Sequence, residues 1–136
     1  MLKSVKNYRG TFSKDMLPIK PKFSESMVIN LQDYFAGSGT HWVAMYTDSN
    51  QYEYFDPFGV VPPDLVLHYM QKSKKEIIYN STQVQNISSI MCGYFCVFYI
   101  KNRAMGRKPL DILLDYTLFP SLVNEETINN FANSIQ

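Results

Sequence analysis

Gln85-Asn86-Ile87-Ser88-Ser89-Ile90-Met91-Cys92-Gly93-Tyr94-Phe95-Cys96 marks the point where a polar loop gives way to the most apolar segment of the chain. That segment runs from Cys92 to Met105 and stops at Gly106. Its length and glycine stop favour a buried helix over a strand. Cys92 therefore falls where loop becomes helix. A helix start carries about half a positive charge and free backbone N–H groups, and both favour thiolate over thiol. Gly93 has no Cβ, so another chain can approach the backbone closely there. The bland reading of Cys92 is a buried structural thiol, the commoner fate of a Cys in an apolar helix. Cys96, one turn deeper among Phe95, Val97 and Phe98, reads as core.

Upstream of this helix the pattern changes to strands. Ser26 to Leu31 is an apolar run of strand length, and His41 to Tyr46 follows the Gly37-Ser38-Gly39 turn as another. Asp48-Ser49-Asn50 is a turn, which makes Tyr52 to Phe55 the returning strand of a hairpin, ended by Pro57 and Gly59. Pro62-Pro63 opens a helix whose apolar side is Leu65, Val66, Tyr69 and Met70. Ile77 to Tyr79 is a short strand. Beyond the Cys helix, Pro109 to Tyr116 and Glu125 to Ile135 read as two further helices. The first ~24 residues read as an extended or loop-rich entry. Central strands flanked by helices give an α+β class. There is no repeat or interdomain linker, so residues 1–136 are expected to form a single domain.

Composition bounds the function classes. Apolar residues make up 46% and aromatics 15%, which is globular and not disordered. A net charge of +1 argues against a dominant nucleic-acid surface. No apolar run reaches the ~18 residues of a membrane span, so no membrane partner is expected. Met1 to Gly10 is polar and lacks a secretory segment, which suggests a reducing setting. Two Cys, four apart, fit that setting, and without a His pair they make a poor zinc site, so no metal or cofactor is expected. Asn80-Ser81-Thr82 and Asn86-Ile87-Ser88 match the glycosylation pattern and read as chance matches.

Four residues in chain order carry a chemistry: His41, Asp56, Gln85 and Cys92. His41 is the natural base for a thiol at Cys92, and paired Cys residues can fall from ~8.5 to about 3–4 in pKa. If the hairpin turn is tight, Asp56 lies near His41, where its carboxylate can accept the Nδ1 proton and orient the ring. Gln85 has a neutral amide that can donate to an oxyanion beside the Cys92 backbone N–H. Gln83 competes for that role. The bland readings are a turn-capping Asp before Pro57, a surface Gln, and core packing for Trp42, which can also wall a cleft. His68, inside the helix after Pro63, reads as an ordinary helix His. As a set, the four are the parts of a thiol hydrolase.

The pattern resembles the adenovirus-type maturation proteases (adenain). Gly10-Thr11-Phe12-Ser13-Lys14 is similar to that family's Gly-Thr-Tyr-x-Lys, and Gly39-Thr40-His41-Trp42 to its Gly-x-His-Trp. Phe55-Asp56-Pro57-Phe58-Gly59 is similar to its Phe-Glu-Pro-Phe-Gly, and Ser81-Thr82-Gln83 with Gln85 through Cys96 to its Ser-Thr-Gln and Gln-x6-Cys-Gly-x-Phe-Cys. The resemblance implies a papain-like α+β fold, with a central mixed sheet packed on helices and the Cys at the start of a buried helix. It implies His41 as base, Asp56 as orienter, Gln85 as oxyanion donor and Cys92 as nucleophile. It also implies cleavage of capsid or other virion precursor proteins, in the virion and at the site of assembly in the host cell, with small residues, often Gly, around the cut.

The chain departs from the family in carrying Asp where the adenovirus enzymes have Glu. It is shorter and lacks their preceding helical segment, which would suit a monomer from a small DNA virus, virophage or virus-like transposon. No Cys lies between Asp56 and Cys92, which argues against covalent activation by a peptide, and the net charge argues against activation by DNA. Two other functions compete. Proteases of SUMO- or ubiquitin-like proteins share the His-Trp, Asp, Gln, Cys order, but usually place Asp directly before the Cys, where Met91 stands here. A non-catalytic capsid- or scaffold-binding module would not need all four residues.

Overall fold

The structure is a computed structural model and describes residues 2–32, 41–81 and 89–118. Gln83, Gln85, the Gly37-Ser38-Gly39 turn and the expected helix over Glu125 to Ile135 lie outside these residues. The elements are β1 (Tyr8–Ser13), β2 (Glu25–Asn30), β3 (Trp42–Thr47), β4 (Gln51–Phe55), α1 (Asp64–Gln71), β5 (Glu76–Tyr79), α2 (Ser89–Ala104) and α3 (Pro109–Leu118). The five strands form one sheet in chain order. β1 pairs parallel to β2, β2 and β3 are antiparallel, β3 and β4 form the hairpin, and β4 pairs parallel to β5. The class is α+β with a mixed sheet. The entry read as loop-rich contains β1, an edge strand whose polar sequence hides it from an apolar-pattern reading.

Strand alternation explains how helices come to lie on both faces. Met27, Ile29, Val43, Met45, Tyr52 and Tyr54 face one side and pack with Val66, Tyr69 and Met70 of α1. Val28, Ala44 and Phe55 face the other and pack with Cys92, Phe95, Cys96, Tyr99 and Ile100 of α2 and Ile112 of α3. A strand buried on both faces reads as a continuous apolar run rather than an alternating one, as the Met27-Val28-Ile29 run does. Each such side chain contributes about 1.5–3 kcal/mol by leaving water.

Two local signals explain element ends. Pro63, in extended conformation at φ −67° and ψ 160°, caps α1, so Asp64 and not Pro63 is the first helical residue. Asp64 there suits the positive end of the helix dipole. Gly106 terminates α2 with φ 92°, in the left-handed region that glycine enters without strain.

A buried ion pair fastens α2 to the hairpin. Glu53, 1% exposed, projects from β4 toward α2. Arg103 donates to it twice, from Nε and Nη2 at 2.8 Å each, and the Tyr99 hydroxyl donates at 2.7 Å. Arg103 also reaches Asp48 at 3.2 Å and lies over the Tyr46 ring. A second network on the opposite face joins Glu25 to Arg9, Tyr52 and Tyr69. Neither network shows in a hydropathy pattern, because a single buried carboxylate is invisible without its partners.

Candidate active site

The hairpin delivers two of the expected residues. Asp48 closes its turn by accepting the N–H groups of Asn50 and Gln51 at 2.8 and 3.0 Å, so the turn is tight. The β3–β4 register ends at Ala44 opposite Phe55. Asp56 directly follows β4, and His41 stands just before β3, its carbonyl accepting the N–H of Leu31, just past β2, at 3.0 Å. The two side chains meet at 2.8 Å, His41 Nε2 to Asp56 Oδ1.

The contact uses Nε2, not the Nδ1 expected from the sequence. The reason is the direction of approach, which depends on how both strand ends leave the sheet. Asp56-Pro57-Phe58-Gly59 forms a turn with the Gly59 N–H donating to the Asp56 carbonyl at 2.8 Å and Gly59 at φ 71°. Asp, Pro and Gly at the first, second and fourth positions suit such a turn. The Phe58 N–H donates to Asp56 Oδ1 at 2.8 Å, and the Phe58 ring meets the His41 ring edge-on at 4.9 Å. Asp56 therefore does both things the sequence offered as alternatives: it caps its turn and holds His41. Its carboxylate is fully buried, and among the described residues Oδ2 has no hydrogen-bond partner.

Asn80 fixes the other side of Asp56. Its side-chain carbonyl accepts the Asp56 N–H at 2.9 Å and its amide donates to the Asp56 carbonyl at 2.6 Å. Asn80 is 8% exposed. Sequence reading treated it only as part of a chance glycosylation match. A polar residue just after a short strand gave no signal of this role.

Cys92 lies in the first turn of α2, as expected. The Trp42 N–H donates to its sulfur at 3.2 Å, and Trp42 directly follows His41. The Trp42 carbonyl accepts from the Cys96 thiol at 3.3 Å. One residue of β3 is thus held between the two cysteines, one helical turn apart. The structure brings His41, Asp56 and Cys92 to one end of the sheet, while Gln85 and Gln83 lie outside the described residues. His68 is exposed on α1, whose packing face is the opposite side of the sheet from α2.

The electrostatics differ from the sequence expectation in one respect. Burial pushes the Cys92 thiol up, and the Asp56 charge pushes the same way. The N–H groups of Trp42, Gly93 and Cys92 pull it down, as a helix start should, but burial prevails. Cys96 is completely buried, and burial holds its thiol well above the ordinary range. Cys92 and Cys96 form no disulfide. Among the described residues no cluster of His, Cys, Asp and Glu could hold a metal ion, and no helix is long and apolar enough to cross a membrane.

No protein-family model matches the sequence. The chain is homologous to viral cysteine proteases. It is 30% identical over 115 residues to the SUMO-1 cysteine protease S273R of African swine fever virus (isolate Tick/South Africa/Pretoriuskop Pr4/1996), covering 73% of this chain and 42% of the relative. It is 32% identical over 84 residues to the protein of the same name from isolate Pig/Kenya/KEN-50/1950, covering 52% of this chain and 31% of that one. Two crystal structures of the ASFV pS273R protease match with TM-scores of 0.58 and 0.57, at 25% and 24% identity, over 82% of this chain and 43% and 42% of those chains. The chain thus spans less than half the length of the relatives it matches.

Proposed function

We propose that this chain is a cysteine endopeptidase that cleaves capsid or other virion precursor proteins during particle maturation. The observation that carries the reading is the His41–Asp56 pair, set beside a backbone N–H that binds the Cys92 sulfur. His41 is held by Asp56 at 2.8 Å, and the residue after His41 binds the Cys92 sulfur at 3.2 Å. Homology to viral proteins named as cysteine proteases supports it.

In this reading Asp56 occupies His41 Nε2 and leaves Nδ1 as the basic nitrogen. His41 removes the Cys92 proton as the sulfur attacks the peptide carbonyl. The C–S bond forms, the carbonyl oxygen becomes an oxyanion, and Gln85 with a backbone N–H at the helix start stabilises it. His41 then gives the proton to the leaving amine. Water, activated by His41, hydrolyses the thioester and restores the thiol. The substrates are proteins, and the place of action is the virion and the host cell at the site of assembly.

The test is incubation with candidate virion precursors and mass mapping of the cut ends. Cys92→Ala and His41→Ala abolish cleavage without unfolding the protein, and Asp56→Asn lowers it less. Full activity in either Ala variant excludes the assignment. Gln85→Ala lowers kcat by roughly a hundred- to a thousandfold.

The name of the relatives, SUMO-1 cysteine protease, favours a second reading as a deconjugase of SUMO- or ubiquitin-like proteins. Met91 before Cys92 weighs against it, since that group usually carries Asp there. A deconjugase processes a SUMO or ubiquitin precursor, which a maturation enzyme leaves intact.

A further inference from the structure

We infer that Phe58 is a positioning residue for the base: its ring, packed edge-on against His41, fixes the plane of the imidazole, which Asp56 alone leaves loose. The inference rests on the cysteine-peptidase reading and adds a residue to its machinery.

Asp56 meets the His41 ring at one atom, Nε2, at 2.8 Å. One hydrogen bond fixes where that nitrogen lies, not how the ring is turned. The torsion that turns an imidazole about its Cβ–Cγ bond is broad, without the sharp staggered wells of an aliphatic side chain. His41 also stands before β3 begins, and its side chain is 29% exposed, so regular strand packing does not clamp it. In the reading above Nδ1 takes the Cys92 proton, and Nδ1 moves whenever the ring turns. A second contact on the ring is therefore needed.

Phe58 supplies it. The two ring centroids lie 4.9 Å apart with their planes at 71°, the edge-to-face arrangement that aromatic pairs prefer. The Phe58 ring is itself held, partly buried against the core cluster that contains Val28, Ala44 and Phe55. Its main chain is held as well. The Phe58 N–H donates at 2.8 Å to Asp56 Oδ1, the same oxygen that meets His41. One residue thus fixes the carboxylate with its backbone and the imidazole with its ring. Pro57 before it and Gly59 after it, at φ 71°, set the turn that aims the ring. A leucine here would keep the N–H and much of the apolar bulk. It has no flat ring to set the angle of another, so it would fill the space without fixing the plane.

The test compares Phe58→Leu with Phe58→Tyr, which keeps the ring. On a fluorogenic peptide amide with Gly before the scissile bond, Phe58→Leu lowers kcat by about two- to tenfold at nearly unchanged KM, and Phe58→Tyr restores most of it. A second measurement needs no substrate. The chain has two histidines, so His68→Gln leaves His41 as the one imidazole to follow by NMR. The order parameter of its ring C–H bonds falls when Phe58→Leu is added, and stays high with Phe58→Tyr. A packing role alone would leave that order parameter where it was. An unchanged order parameter, wild-type kcat in Phe58→Leu, or a rise in KM in place of the fall in kcat overturns the inference while leaving the peptidase reading intact. Full activity in His41→Ala overturns the peptidase reading, and with it the base that Phe58 positions.

Discussion

The side chain of Asn80 pairs with the backbone of Asp56 as a neighbouring strand would, accepting its N–H at 2.9 Å and donating to its carbonyl at 2.6 Å. The pairing extends the β4–β5 contact one step beyond the last strand pair, Tyr54 with Tyr79. It fixes the residue that fixes His41. A carboxylate can orient an imidazole only if its own backbone does not wander, and Asp56 sits where β4 has ended.

Removing this brace costs both stability and activity. Asn80→Ala leaves a buried N–H with no partner, for about 1–3 kcal/mol. Thermal unfolding gives the stability loss. In peptide hydrolysis kcat falls while KM is nearly unchanged, because substrate contacts are untouched and only the base is misplaced. A variant with wild-type kcat would show that the turn bonds to Phe58 and Gly59 hold Asp56 unaided.

The Glu53–Arg103 pair sets the seat of α2. Arg103 lies eleven residues beyond Cys92, about 16 Å along the helix. Arg103→Met leaves Glu53 buried and uncompensated, for about 3–5 kcal/mol. Adding Glu53→Met returns part of the loss, since the charge that suffers is then gone. Denaturant titration of the two variants measures both effects. If the double variant is no more stable than the single one, packing and not charge carries the contact.

Alkylation of Cys92 depends on pH in a direction the structure fixes. Burial holds its thiol above the ordinary range, so little thiolate exists at neutral pH. The rate with iodoacetamide keeps rising past about pH 8.5, where an ordinary thiol levels off. A rate already flat at neutral pH would mean that a preformed thiolate–imidazolium pair prevails.

Four buried tyrosines limit alkaline stability. Burial raises the hydroxyls of Tyr52, Tyr54, Tyr69 and Tyr99, with Glu25, Asp56 or Glu53 adding to the shift. Their folded affinity for the proton exceeds the unfolded one. Their contribution to stability is therefore full below about pH 10, and it is lost as pH rises beyond the unfolded value. Circular dichroism and tyrosinate absorbance change together on alkaline unfolding. Full tyrosinate absorbance in a still-folded protein would contradict the burial.

Much of this protein was legible before any coordinates. The hairpin, the helix after Pro63, the Cys92 helix and its Gly106 stop follow from local signals, because apolar periodicity and turn chemistry act between near neighbours in the chain. The order His41, Asp56, Gln85, Cys92 follows from residue type alone. Tertiary structure decided which ring nitrogen faces Asp56, that Asn80 braces it, and that one Trp42 peptide lies between two thiols. It also decided the direction in which the Cys92 thiol shifts, since burial is a sum over the whole fold and outweighs the local pull of a helix start. Angles between strand ends, and the water each group loses, depend on partners tens of residues away, and no short stretch of sequence encodes them.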